Sequence, residues 1–162
     1  MHIVIAAAFG TPVLEHLLDG DTHSPPRVFF HGLIPHNQVM SELAVTDLLA
    51  HPAVVESFGM TIAEAMALGI PVVAGRISGA IPWVLGEGSE EMLVDVGAAN
   101  AIADTAVALL KDSVKYRHYS KQGRVRASEL FSADAVSKAY TVQYQKILNA
   151  QPVERLFGEL QR

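Results

Sequence analysis

Short apolar runs alternate along the chain with stretches whose apolar positions repeat at helical spacing. His2–Ala8 (HIVIAAA) reads as a buried strand ending in the turn Phe9-Gly10-Thr11-Pro12, and Val13–Leu18 as a brief helix stopped at Asp19-Gly20-Asp21. Beyond the Ser24-Pro25-Pro26 loop, Arg27–His31 (RVFFH) is the next strand, closed by Gly32. Gln38–Ala44 has helical character, and Asp47–His51 (DLLAH) is a third strand, halted by Pro52. Thr61–Leu68 is predicted helical, because Thr61 stands three residues before Glu64 as in a capping box and Gly69 supplies the stop. Pro71–Gly75 (PVVAG) is a fourth strand. A short helix near Trp83, a fifth strand at Met92–Val96, a helix over Ala101–Lys111 capped by Asn100, and helices at about 113–130 and 134–149 complete the order. Brief strands separated by helices predict an α/β, Rossmann-like parallel sheet with helices on both faces. Ligands of such sheets bind beyond the carboxyl ends of the strands, which directs attention to the loops after Ala8, His31, His51 and Gly75.

Composition narrows the class. Half of the 162 residues are hydrophobic and 18% are charged, so the chain is expected to fold as one domain over residues 1–150. Residues 151–162 form an amphipathic tail, with Val153, Leu156, Phe157 and Leu160 on one helical stripe that is a candidate partner surface. The lack of cysteine excludes disulfides, a cysteine nucleophile and thiolate metal sites. No membrane-length apolar run and no signal peptide are visible, and the expected location is cytoplasmic. Residues 1–110 hold two basic side chains, Arg27 and Arg76, against twelve acidic ones, a net of −10. Residues 111–162 hold ten basic against five acidic, a net of +5. The acidic front argues against nucleic-acid binding there, since phosphate contacts come mainly from Lys and Arg. Six basic residues within 111–126 read either as a solvated helix face or as an electrostatic contact with anionic lipid or an acidic partner.

The segment Pro52–Ala74 concentrates the candidate chemistry. Glu56 falls in the loop after a strand and Glu64 on the first turn of the following helix, seven residues apart. Between them Phe58-Gly59-Met60-Thr61 carries the chain to a helix N-terminus, where unpaired amides and the helix dipole favour an anion. Such a site suits a diphosphate flanked by two hydroxyl-rich sugars, each carboxylate accepting hydrogen bonds from vicinal hydroxyls. Glu64 read alone is equally a capping-box glutamate, and Glu56 an ordinary loop acid.

This segment resembles the E-x7-E motif of retaining, nucleotide-sugar-dependent glycosyltransferases of the GT-B class, family 4. The shared residues are Pro52, Glu56-Ser57-Phe58-Gly59, Glu64-Ala65-Met66-Ala67, Gly69 and Pro71-Val72-Val73-Ala74. Phe29-Phe30-His31-Gly32, Asp47 and Phe131-Ser132 extend the likeness over about residues 2–148. The resemblance implies that Glu56 contacts the donor sugar as the catalytic carboxylate, and that the amides of Phe58, Gly59, Met60 and Thr61 hold sugar and diphosphate. It places Glu64 on the ribose hydroxyls and the main chain of Leu33 and Ile34 on the base; Gly10 and Arg76 are further candidates for the donor site. The implied reaction retains anomeric configuration, requires no metal or other cofactor, and takes a nucleotide-diphosphate sugar as substrate.

Three departures stand beside the likeness. Pro52-Ala53 replaces Pro-Ser, and Ser78-Gly79-Ala80-Ile81-Pro82-Trp83 replaces a Gly-Gly-x-Pro-Glu loop, which leaves Trp83 as a core plug or a partner contact. The third is the family's strand ending in Gly-Arg, with its following Lys, which has no counterpart here. The expectation is therefore a protein partner that supplies these cations and an acceptor domain, with a peripheral membrane contact also open. Arg76 faces the cleft or is a surface residue, and His31 is a further candidate for the nucleotide site. The alternatives are a non-catalytic nucleotide or nucleotide-sugar binding subunit or a truncated domain that is inactive alone, and an interaction module that keeps the fold without the ligand.

Overall fold

The structure, a computed structural model, describes residues 3–5 and 31–149. Four strands, β1 (Ile3–Ile5), β2 (Leu48–His51), β3 (Val72–Gly75) and β4 (Leu93–Val94), form one parallel sheet in the order β1-β2-β3-β4. The register sets Ile3 beside Leu48, Leu49 beside Val72, and Ala74 beside Leu93. Between the strands run α1 (His36–Ala44), α2 (Met60–Leu68) and α3 (Ile81–Leu85); after β4 come α4 (Ala99–Lys111), α5 (Ser113–Leu130) and α6 (Ala133–Asn149). Every residue of β2, β3 and β4 is buried, as a sheet covered on both faces requires.

Side-chain alternation assigns the faces. Leu48, Ala50, Val73 and Val94 pack with Ala106 and Leu109 of α4 in one cluster. The alternate set turns the other way, where Val72 lies with Met66 of α2 and Leu85 of α3 around a small, partly open cavity. Leu48, Leu49, Ile62, Ile81 and Leu109 are almost completely sealed from solvent. Each such side chain contributes about 1.5–3 kcal/mol of hydrophobic burial.

α5 runs along the amino-terminal edge of this sheet. Its Tyr116 hydroxyl donates to the Asp47 carbonyl at 3.0 Å, just before β2, and Gln122 Nε2 donates to the Glu87 carbonyl at 2.7 Å, before β4. Arg124 Nη2 donates to the last carbonyl of α2, at Leu68, and Arg126 donates to Val84 and Trp83 at the end of α3. Cations at helix C-termini satisfy orphan carbonyls and complement the helix dipole. The opposite, carboxyl-terminal edge is left to the loops.

The chain divides into two compact units, residues 1–127 and 128–162. In the second, the Ser132 hydroxyl accepts from the Ala135 amide at 3.2 Å and so caps α6, whose residues are all outside the buried class.

The helices at 113–130 and 134–149 and the four parallel strands lie close to where the hydrophobic pattern predicts them. Several details differ. β4 covers two residues, since only Leu93 and Val94 pair with β3; Met92 closes a 3-10 turn, Glu90–Met92. α4 starts at Ala99 with Ala98, not Asn100, at the cap, because a turn around Asp95 brings the chain into the helix earlier. His31 is irregular and exposed. The Val13–Leu18 helix, the Arg27–Phe30 part of a strand, the Gly10 turn and the 151–162 stripe lie outside the described residues.

Candidate functional site

β2 delivers His51 to the carboxyl edge of the sheet, and Pro52–Phe58 links it to α2. Gly59 occupies the cap position of α2 with φ +87°, a left-handed conformation that side chains other than glycine adopt at a cost. A Cβ there would stand 3.0 Å from Ile62 Cδ1. With the cap at Gly59, Thr61 and Glu64 fall two residues too far into the helix to form a capping box, and no side chain caps α2. Glu64 is thereby free for another role. Its Oε1 lies 2.7 Å from His36 Nε2, at the first residue of α1.

Glu56 is held by its own loop. Oε1 accepts from the Ser57 amide at 2.9 Å and from the Phe58 amide at 3.3 Å, while Oε2 stands 3.4 Å from His51 Nε2. Desolvation raises the Glu56 pKa, but the Phe58, Ser57 and Gly59 amides and His51 outweigh it, and the carboxyl lies below its ordinary value. Its side chain is 26% exposed, open enough to meet a ligand. For His51 desolvation dominates; the opposing pull of Glu56 does not overcome it, so the imidazole sits below its ordinary value and is neutral at pH 7.

The loop after β3 locks this arrangement from above. The Ala80 amide donates to the Glu56 carbonyl at 3.2 Å, and Gly79, at φ +59°, comes so close that a Cβ would collide with that carbonyl oxygen. Sequence spacing placed Glu56 and Glu64 on the right loop and helix. It did not reveal the two histidines, because they approach from β2 and α1 through tertiary packing. The only available signal was a histidine at the end of an otherwise apolar strand.

The remaining predicted positions are distributed around this core. Met60 is exposed at the start of α2, and the first amides of α2, at Met60 and Thr61, precede the helix's own hydrogen-bond ladder. Leu33 is exposed and Ile34 half-buried in the irregular segment leading to α1. Arg76 is exposed after β3, with Nε and Nη2 donating to the Leu93 carbonyl at 3.2 and 3.0 Å. Trp83 is not a core plug: Ile81, Val84 and Leu85 take the inward positions of α3, leaving Trp83 59% exposed, its ring 6.4 Å from Phe58 and under the Arg126 guanidinium. Among the six basic residues of 111–126, Lys115 pairs with Glu91 at 2.7 Å, and Arg124 and Arg126 serve as helix caps, so this is not a uniformly solvated face. Among the described residues no group of three or more His, Asp or Glu side chains is placed to hold a metal ion. No helix among them is long and apolar enough to cross a membrane.

The family model described as glycosyl transferases group 1 matches residues 15–126, more than half of the chain and the whole of the site just built. The chain belongs to this family. Among its relatives, N-acetyl-alpha-D-glucosaminyl L-malate synthase of Bacillus anthracis is 34% identical over 78% of this chain and 32% of its own length. The D-inositol 3-phosphate glycosyltransferase of Corynebacterium glutamicum is 33% identical over 73% of this chain and 25% of its own. The lipopolysaccharide core biosynthesis mannosyltransferase LpsB of Rhizobium meliloti is 31% identical over 75% of this chain and 34% of its own. Sucrose-phosphate synthase from Thermosynechococcus elongatus superposes with a TM-score of 0.71 at 26% identity, covering 92% of this chain and 39% of that one. The chain thus spans between a quarter and two fifths of the length of the proteins it matches. A glycosyltransferase family member with a parallel, Rossmann-like sheet agrees with the fold and the enzyme class expected from the sequence.

Proposed function

We propose that this chain is the donor-binding part of a retaining glycosyltransferase that moves a sugar from a nucleotide-diphosphate sugar to an acceptor. The observation that carries the reading is the convergence of Glu56, Glu64 and the N-terminus of α2 at one edge of the sheet, with Gly59 bringing the backbone in between. Glu56 takes the donor sugar's hydroxyls and Glu64 the ribose hydroxyls. The diphosphate lies against the Met60 and Thr61 amides, since the Ser57 and Phe58 amides are already turned onto Glu56. In the reaction the bond from the anomeric carbon to the phosphate oxygen breaks, the electron pair leaves on the diphosphate, the acceptor oxygen bonds to the same carbon on the same face, and the acceptor hydroxyl's proton passes to the departing phosphate oxygen. Fixed amides and the dipole of α2 stabilise the charge growing on the leaving group. Arg76 adds positive charge at the rim through N–H groups not used on Leu93. A second polypeptide segment completes the site with further cations and the acceptor pocket.

The test uses titration calorimetry with UDP, GDP and ADP, and transfer or hydrolysis assays with UDP-glucose and GDP-mannose, with and without candidate partner chains. Glu64→Ala is expected to weaken the preferred nucleoside diphosphate by about tenfold or more, the worth of a hydrogen bond to a charged group. Should Glu56→Gln leave both donor binding and turnover at wild-type levels, the donor-site assignment is wrong.

A further inference from the structure

His51 ends a strand whose other three residues are apolar, and its imidazole is nine-tenths buried. Both ring nitrogens lack a hydrogen-bond partner, a costly condition for a polar group sealed from water. The nearest acidic atom is Glu56 Oε2, 3.4 Å from Nε2, just beyond hydrogen-bond reach. The other oxygen of the same carboxylate already accepts two amide protons, from Ser57 and Phe58. A carboxylate offers about four lone-pair positions. The Ser57 and Phe58 amides take Oε1, the Gly59 amide also acts on the carboxylate, and Oε2 faces the imidazole, so little acceptor capacity is left for a ligand.

We propose that His51 is a positioning residue for Glu56: its ring carries the proton on Nε2 and closes on Oε2, so that the carboxylate is held in one orientation toward the donor sugar. This rests on the donor-site reading of Glu56 and adds to it the device that orients the group. Without the imidazole, the carboxylate keeps its amide contacts but gains freedom at Oε2, the oxygen that meets the sugar. The titratable group acting on Glu56 is His51, and the one acting on His51 is Glu56. The remaining influences on the carboxylate are the fixed amides of Ser57, Phe58 and Gly59.

Nitrogen-15 NMR of the wild-type chain reads the tautomer directly. At pH 8, where the ring is neutral, a proton on Nε2 is expected, and an Nδ1–H tautomer overturns the proposal. Carbon-13 titration of the Glu56 carboxyl then compares wild type with His51→Leu, which removes the donor, and His51→Gln, which replaces it with an amide N–H. The midpoint is expected to rise by about half a unit or more in His51→Leu, as loss of a favourable partner requires, and to return most of the way in His51→Gln. An unchanged midpoint in His51→Leu sinks the idea. Neither measurement involves a sugar, so they succeed or fail independently of the donor-site reading. With UDP-glucose and GDP-mannose as probes of the full chain and its partner, His51→Leu is expected to lower kcat about tenfold with little change in KM, and His51→Gln to recover it. Wild-type kcat in His51→Leu alongside a loss in Glu56→Gln would leave the donor site standing and remove the positioning role.

Discussion

A Cβ on Gly79 would run into the carbonyl oxygen of Glu56, and the residue sits at φ +59°. Gly79→Ala therefore meets two penalties, a left-handed backbone and a collision, and should cost about 2–4 kcal/mol in urea unfolding. Because the atom it strikes belongs to Glu56, turnover should fall further than the lost folded fraction explains. Equal losses in stability and activity would show that the loop supports the sheet but not the carboxylate. At this scale the sequence was informative about where the candidate residues lie and silent about their partners. Glu56 and Glu64 were legible from spacing, and Gly59 from its place before a helix. The His51–Glu56 and His36–Glu64 contacts were not, because each joins elements whose approach is settled only when the sheet forms.

α2 illustrates what sequence rules reveal about an element and what they miss. Thr61 and Glu64 have the spacing of a capping box, and the helix does end at Gly69 in the left-handed conformation expected of a C-terminal glycine. Its start lies at Met60, because the left-handed Gly59 turns the chain into the helix before Thr61 is reached. Loss of a true capping side chain costs about 1 kcal/mol. Thr61→Ala should therefore be nearly neutral, below about 0.5 kcal/mol, as for ordinary surface changes, and Gly59→Ala should cost about 1–2 kcal/mol. Thermal melts of the two variants decide the matter, and the reverse ranking would restore the capping box. The same reasoning extends to α5. Its arginines read as a charged stripe, yet Arg124 and Arg126 reach the carbonyl ends of α2 and α3, contacts set by the packing of α5 along the sheet edge. Arg126→Ala, which loses two such bonds, should destabilise by about 1–2 kcal/mol.

For the whole molecule, the alternation of strands and helices was enough to foresee a parallel sheet, and the candidate residues His51 and Glu56 lie at its carboxyl-terminal edge. Their ionisation couples the site to global stability. His51 has a folded pKa below its ordinary 6.5, so as pH falls the unfolded chain takes up that proton first. The stabilisation from keeping the ring neutral is complete above about pH 6.5, the ordinary histidine value, and is lost as pH falls from there through the folded value. Glu56 is also depressed, below 4.5, so its stabilisation is present above that value and disappears as pH falls through its own lower folded value. The contribution of these two groups should thus be flat above neutrality and be lost in two stages on acidification, the histidine stage first. His51→Leu should erase the upper stage and leave the glutamate stage in place, shifted toward higher pH by the loss of its partner. Urea midpoints measured from pH 8 down to about pH 2.5 for both proteins make the comparison. An upper stage that survives in His51→Leu would assign it to another histidine and detach the pH response from this site.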